Sequence, residues 1–224
     1  MAVRAVCPQW RVCVLLTEHL CARPWRDVLR AALEGGADCI QVREKDMRGP
    51  ALVERVRAVL NVARPFGASV VVNDDADAAL AAGADGVHVG QGDRSPEQVR
   101  RLSGDALWIG VSTHSVAEAD AAVAAGADVC GVGAMFPTGT KPGIEPSGPA
   151  YLRDYLARFG GGPRTGSRAV PHLAIGGITP GNVAALAAEG CLGVAVSSVV
   201  CSAPDPGHVV ASLRGALERG AGAR

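Results

Sequence analysis

No apolar run in this sequence approaches the length of a membrane-spanning segment. The longest near the start, Val12 to Leu16, falls far short of the roughly 20 residues that a bilayer helix needs. Arg11 precedes it directly and Glu18 follows closely, so it also lacks the layout of a signal peptide. A surplus of one charge is missing as well. The 22 Lys and Arg residues balance 22 Asp and Glu, for a formal net charge of zero. Nucleic-acid and membrane-surface proteins draw much of their affinity from excess positive charge, so neither partner is expected, although a local basic patch stays open. Paired cysteines are missing too. Cys7, Cys13, Cys21, Cys39, Cys130, Cys191 and Cys201 are odd in number, scattered and without a C-x-x-C pair. They read as reduced thiols, several of them core filler, and zinc would need a tighter cluster. These absences together predict a soluble, cytoplasmic protein, with homo-oligomerisation left open.

What is present is a loose internal repeat. Glu34-Gly-Gly-Ala-Asp-Cys-Ile-Gln-Val, Ala82-Gly-Ala-Asp-Gly-Val-His-Val and Ala125-Gly-Ala-Asp-Val-Cys-Gly-Val share one pattern, and Glu189-Gly-Cys-Leu-Gly-Val-Ala-Val is a worn copy. In each, an Ala-rich helical stretch closes on a glycine, the residue that most readily takes the left-handed conformation ending a helix. A short β-branched run follows and reads as a buried strand. Filling in between these units predicts strands near 11–17, 38–43, 69–73, 86–89, 107–112, 128–133, 171–176 and 192–196. Helices are predicted near 24–34, 50–64, 75–82, 95–103, 115–125, 148–158, 180–188 and 206–219. Alternation of this kind implies a parallel sheet buried on both faces. Eight units within 224 residues close most naturally into a single (β/α)₈ TIM barrel, an α/β fold, spanning 11–219 with an N-terminal extension at 1–10 and a tail at 220–224. A doubly wound open sheet is the alternative, but Thr17-Glu-His-Leu-Cys after the first strand carries no glycine-rich nucleotide fingerprint. Two loops stand out: 136–148, rich in Pro, Gly and Thr and placed as a lid on the catalytic rim, and 160–168, read as a connector without chemistry.

In such a barrel the residues just after each strand converge on one rim. Strand two ends Gln41-Val-Arg43-Glu44-Lys45, where period-two alternation places Gln41, Arg43 and Lys45 on one side. Arginine and lysine there suit phosphate oxygens, although a solvated basic turn paired with Glu44 and Asp46 fits the same spacing. Strands three and four end Asn73-Asp74-Asp75 and His88-Val-Gly-Gln91-Gly-Asp93. Asp74 and Asp93 are candidate Mg²⁺ ligands, and helix capping or a turn is the competing role for Asp74, Asp75 and Asp93. His88, within a β-branched run, reads as a core histidine rather than a ligand. Strand five ends Gly110-Val-Ser112, whose hydroxyl would bond a phosphate or cap a helix; nothing here resembles the G-x-S-x-G elbow of a hydrolase. Thr138-Gly-Thr140-Lys141 offers two hydroxyls and an ammonium to an oxyanion, without Walker spacing. Gly176-Gly177-Ile-Thr179 and Val196-Ser197-Ser198 follow strands seven and eight, where this fold often builds a phosphate site. One rim thus offers two anion sites.

With these blocks in order, the sequence resembles the thiamine phosphate synthase family over nearly its whole length. Gln41-Val-Arg-Glu-Lys45, Val72-Asn-Asp74, Gly86-Val-His-Val-Gly-Gln91-Gly-Asp93, Gly110-Val-Ser112, Pro137-Thr-Gly-Thr-Lys141, Gly176-Gly-Ile178 and Val196-Ser-Ser198 carry the resemblance. It implies a transferase of thiamine biosynthesis that joins hydroxymethylpyrimidine diphosphate to thiazole phosphate, releasing diphosphate. By the same resemblance, Gln41, Arg43, Glu44, Lys45, Asn73, Ser112 and Lys141 would bind the pyrimidine diphosphate. Arg43, Lys45, Ser112 and Lys141 would form the catalytic set. Asp74 and Asp93 would bind Mg²⁺, and Thr138, Thr140, Gly177, Ser197 and Ser198 would hold the thiazole phosphate. Ala134, Asp75 and the 160–168 connector depart from the family pattern, which bears on loop shape. A thiazole tautomerase-like isomerase and a non-catalytic phosphate- or thiamine-binding sensor are the alternatives. The complete Arg-Glu-Lys and Thr-x-Thr-Lys sets argue against the first, and the retained acidic pair against the second.

Overall fold

The computed structural model describes residues 6–138, 145–160 and 169–222. Eight parallel strands close in sequence order into a barrel: β1 (Val12–Leu16), β2 (Cys39–Val42), β3 (Ser69–Asn73), β4 (Gly86–Val89), β5 (Trp108–Thr113), β6 (Val129–Gly133), β7 (His172–Ile175) and β8 (Val194–Val196). Helices α1 (Trp25–Glu34), α2 (Gly49–Ala63), α3 (Ala76–Ala82), α4 (Pro96–Ser103), α5 (Val116–Ala124), α6 (Gly148–Phe159) and α7 (Val183–Glu189) return the chain between strands. A four-residue helix α8 (Ser198–Cys201), absent from the sequence reading, follows β8, and α9 (Pro206–Gly222) closes the ring. The expected order and type of elements are all present. The expected loop 160–168 falls, apart from Gly160, outside the described residues.

The repeat has a physical basis on both sides of its turn. Gly36, Gly83, Gly126 and Gly190 all sit at positive φ, so each helix ends in the left-handed conformation that the pattern implied. The aspartate that follows in three copies has a role the sequence did not reveal. Asp38, Asp85 and Asp128 each accept backbone N–H groups at the start of the preceding strand, from Val12 at 3.0 Å, Val70 at 2.7 Å and Ile109 at 2.7 Å. Their own backbone N–H groups donate back to the carbonyls of Val12, Val70 and Ile109. Each Asp therefore pins two neighbouring strands in register at the N-terminal end of the barrel, opposite the predicted rim.

Two apolar layers result. Residues facing outward from the strands pack against the helices, with Val12, Ile40, Val70, Val87, Ile109 and Cys130 fully buried. The barrel interior is filled by Cys13, Leu15, Cys39, Val71, Val129, Leu173 and Ala195, with Trp10 closing its floor. The Trp10 indole N–H donates to Ser69 Oγ at 3.0 Å, and its ring meets Trp108 edge-on at 5.9 Å. His172, at the start of β7, alternates with the inward Leu173 and is buried on the outer face of the barrel, edge-on to Tyr155 of α6 at 5.8 Å. Its Nε2 accepts from Leu192 N–H at 3.1 Å, and burial pulls its pKa down to about 4. All seven cysteines are free thiols and six are buried, as core filler should be. Among the described residues no helix is long and apolar enough to cross a membrane.

Candidate active site

The C-terminal strand ends open into a cleft of about 940 Å³, measured to its mouth. Leu15, Ile175, Ala195 and Val196 give it apolar walls, and Arg43, Ser112, Thr138, Gly177, Ser197 and Ser198 bring the polar groups. A second depression of about 880 Å³ on the same rim is lined by Lys45, Arg48, Asn73, Asp74, Asp93 and Arg94.

Local structure explains this division. Alternation along β2 turns Gln41 and Arg43 inward. Gln41 is buried inside the barrel beside His88 and Trp108, beneath the cleft, whereas Arg43 stands at the cleft wall. Beyond Val42 the strand ends and alternation no longer governs, so Lys45 faces the second depression instead of sharing a side with Arg43. Arg43 is only 6% exposed, and among the described residues no carboxylate or carbonyl engages its guanidinium. A buried cation without a protein partner is costly unless an anion joins it. Glu44 lines the edge of the same depression, but its carboxylate is engaged elsewhere. Its carboxylate accepts the Glu18 N–H at 3.2 Å and pairs with Arg55 at 2.5 Å, which ties the β1 and β2 loops to α2. Burial pushes the Glu44 carboxyl above its ordinary range, against the opposing pull of the Glu18 N–H and Arg55.

The competing roles of the acidic residues separate cleanly. Asp75 caps α3, accepting the Ala78 N–H at 2.8 Å. Asp74 is left at the mouth of the second depression with φ 66°, a left-handed conformation that a non-glycine residue holds at some cost. Ser95, not Asp93, caps α4, in a capping box with Gln98. Asp93 instead accepts the Gly90 N–H at 2.7 Å and closes the turn after β4. Ser115 caps α5, which leaves Ser112 within β5, its Oγ 2.9 Å from His88 Nε2. Gln91, whose side chain donates to the Ser112 carbonyl at 2.7 Å, carried no assignment in the sequence reading.

The far wall is a set of backbone donors. Gly176 and Gly177 sit at φ 98° and 63°, and a Cβ on them would lie 2.6 Å from Ala134 Cβ and 2.5 Å from Pro137 O. Only glycine lets the β7 loop run this close to the β6 loop, which the Met135 and Phe136 N–H groups join to Ile175 and Gly176 carbonyls. Ser197 Oγ donates to Leu15 O at 3.0 Å, anchoring the start of α8 to β1. Among the described residues, the N–H groups of Gly177, Ser197, Ser198 and Val199 meet no acceptor. They line one wall of a cleft that also holds Arg43, an arrangement suited to an oxyanion. Thr138 lies at its mouth; Thr140 and Lys141 fall outside the described residues.

A family model described as thiamine monophosphate synthase matches residues 12–200. The chain belongs to the thiamine monophosphate synthase family. A thiamine-phosphate synthase of Moorella thermoacetica is 40% identical over 217 residues, covering 96% of this chain and 99% of the relative. That of Geobacillus thermodenitrificans is 41% identical over 199 residues, covering 87% and 86%. The solved thiamine phosphate pyrophosphorylase of Pyrococcus furiosus superposes with a TM-score of 0.81 at 32% identity, covering 94% of this chain and 96% of that one. A 3-hexulose-6-phosphate synthase, at 19% identity and a TM-score of 0.65, shares the fold alone. Membership in the synthase family agrees with a rim that carries two adjoining polar sites instead of one.

Proposed function

We propose that this chain is a thiamine-phosphate synthase, joining 4-amino-2-methyl-5-hydroxymethylpyrimidine diphosphate to 4-methyl-5-(2-phosphoethyl)thiazole and releasing diphosphate. Beside the family, the observation that carries this reading is the pairing on one rim of two different anion sites. A buried Arg43 and four backbone donors that meet no partner among the described residues share the first. Lys45, Asn73, Asp74 and Asp93 share the second. Two substrates, one a monophosphate and one a diphosphate, supply the matching anions.

The thiazole phosphate belongs against Gly177, Ser197, Ser198 and Thr138, with Thr140 from the β6 loop. The pyrimidine diphosphate lies across Arg43, Lys45, Asn73 and Lys141, with its ring over Ser112 and Gln41. Glu44 acts indirectly, holding the β2 loop through Arg55. Asp74 and Asp93 suit Mg²⁺. Asp74 and Asp93, lining one depression, would hold it with two carboxylates, and a cation that retains several waters needs no third acidic ligand. When bound, Mg²⁺ would supply charge neutralisation at the leaving diphosphate.

The C–O bond to the diphosphate breaks, and Arg43, Lys45 and Lys141 take up the charge that develops on the departing oxygens. The aminopyrimidine delocalises the positive charge left on its methylene carbon. The thiazole nitrogen then donates its lone pair to that carbon, closing the new C–N bond. The phosphate anchor on the β7 and β8 loops fixes the nitrogen's approach, so orientation replaces a protein nucleophile. The apolar walls of Leu15, Ile175, Ala195 and Val196 keep water from the cation.

The test is incubation of the purified chain with both substrates and Mg²⁺, scored for thiamine phosphate by chromatography. Product is expected only when both substrates are present. Binding of both without product would sink the synthase reading and favour a sensor.

A further inference from the structure

His88 lies in the middle of β4, between Val87 and Val89, both buried against the helices. Alternation therefore turns its ring into the barrel, where it remains partly accessible beneath the cleft. The ring crosses under the next two strands. A Cβ on Gly110 of β5 would lie 2.5 Å from its Nδ1, and one on Gly131 of β6 would lie 3.1 Å from its Cε1. Neither glycine has a positive φ, so the backbone itself does not call for glycine at either position. Glycine inside a strand weakens it, and a branched apolar residue on β4 beside larger residues on β5 and β6 would fill the same space. Two strands thus make room for an imidazole that packing does not need.

The ring's Nε2 has a specific neighbour. Nε2 is 2.9 Å from Ser112 Oγ, and Gln91, three residues further along from His88, donates to the Ser112 carbonyl at 2.7 Å. The turn that carries Gln91 is closed by Asp93 on the Gly90 N–H. Strand β4 and its turn hold Ser112 at both its hydroxyl and its carbonyl. We propose that His88 is a positioning residue for the synthase reaction: its Nε2 accepts the Ser112 hydroxyl proton, which turns the oxygen lone pairs toward the aminopyrimidine. There they stabilise the amino N–H groups as the ring takes up positive charge. The inference rests on the synthase reading of the cleft and assigns His88 an effect through Ser112, not on substrate directly.

His88→Gln and His88→Met differ almost solely in hydrogen bonding, because the two side chains match in length and volume. With wild-type product formation established first, His88→Met is expected to lower kcat at least about tenfold. His88→Gln should recover most of that loss, while the KM for thiazole phosphate changes less than about twofold in either. In a Ser112→Ala background, exchanging Gln for Met at position 88 should have no effect, since the group being positioned is gone. Melting temperatures of the Gln and Met variants report folding. Should the Met variant not fold, His88→Asn takes its place, because its amide is too short to reach Ser112, and kcat must fall there as well. Equal kcat for the Gln variant and the Met or Asn variant, or an undiminished effect of position 88 without the Ser112 hydroxyl, overturns the proposal. A wild-type chain that makes no thiamine phosphate overturns the synthase reading and this inference with it.

Discussion

Acidification should weaken this fold through one residue far from the cleft. His172 is buried between the N-terminal end of β7 and helix α6, and burial pulls its pKa from 6.5 to about 4. The folded chain therefore resists a proton that the unfolded chain accepts. The stability this neutral imidazole contributes is complete above pH 6.5 and is lost as pH falls from there toward 4. At about 1.4 kcal/mol per pKa unit, the loss reaches about 2 kcal/mol by pH 5 and about 3 kcal/mol at pH 4. The geometry agrees with the sign. Nε2 accepts the Leu192 N–H at 3.1 Å, and a proton on that nitrogen would set two donors face to face. Urea unfolding of the wild type and of His172→Gln, from pH 7.5 to 4.5, isolates the effect from the other titrating groups. The variant is less stable at pH 7.5, and the gap should close as pH falls, because only the wild type carries the penalty. A gap that stays constant across the range would refute a neutral, buried His172. Activity measured on the folded fraction should not follow this transition, since the residue lies at the opposite end of the barrel.

Three further outcomes follow from the rim. Gly177→Ala should cost more than about 2 kcal/mol in urea unfolding and weaken thiazole phosphate binding, because its Cβ would lie 2.5 Å from Pro137 O at φ 63°. Asp93→Asn keeps an acceptor for the Gly90 N–H but loses charge. It should keep its melting temperature within a few degrees while turnover falls at least about tenfold and needs more Mg²⁺, read by steady-state rates across a Mg²⁺ titration. Arg55→Met leaves the Glu44 carboxylate, with 7% of its side chain exposed, without its cation. It should destabilise the fold by about 3 kcal/mol at pH 7, and less as pH falls, because burial raises the Glu44 carboxyl and a protonated Glu44 no longer needs its cation; denaturant unfolding across an acidic pH series measures it.

Periodicity and turn chemistry alone determined the barrel. The helix-closing glycines, the β-branched runs behind them and their repetition leave little freedom, since a parallel strand buried on both faces has one strong solution at this length. The strand ends were equally legible, because in this fold chain order puts them on one rim. What tertiary structure decided is how neighbouring side chains share the work. Asp74, Asp75 and Asp93 look alike in sequence, yet one caps a helix, one closes a turn and one is held left-handed at the rim. Glu44 sits in a cationic motif but faces Arg55, because the strand ended one residue before Arg43 and the chain turned. The repeated Asp38, Asp85 and Asp128 carried no role in the sequence pattern and prove to bind the strand before them. His88 read as core filler until the glycines of two later strands showed the space kept for its ring. Local pattern fixes where a residue stands along the chain. Its partner is set by strands brought beside it from elsewhere in the sequence, and only the closed barrel supplies those.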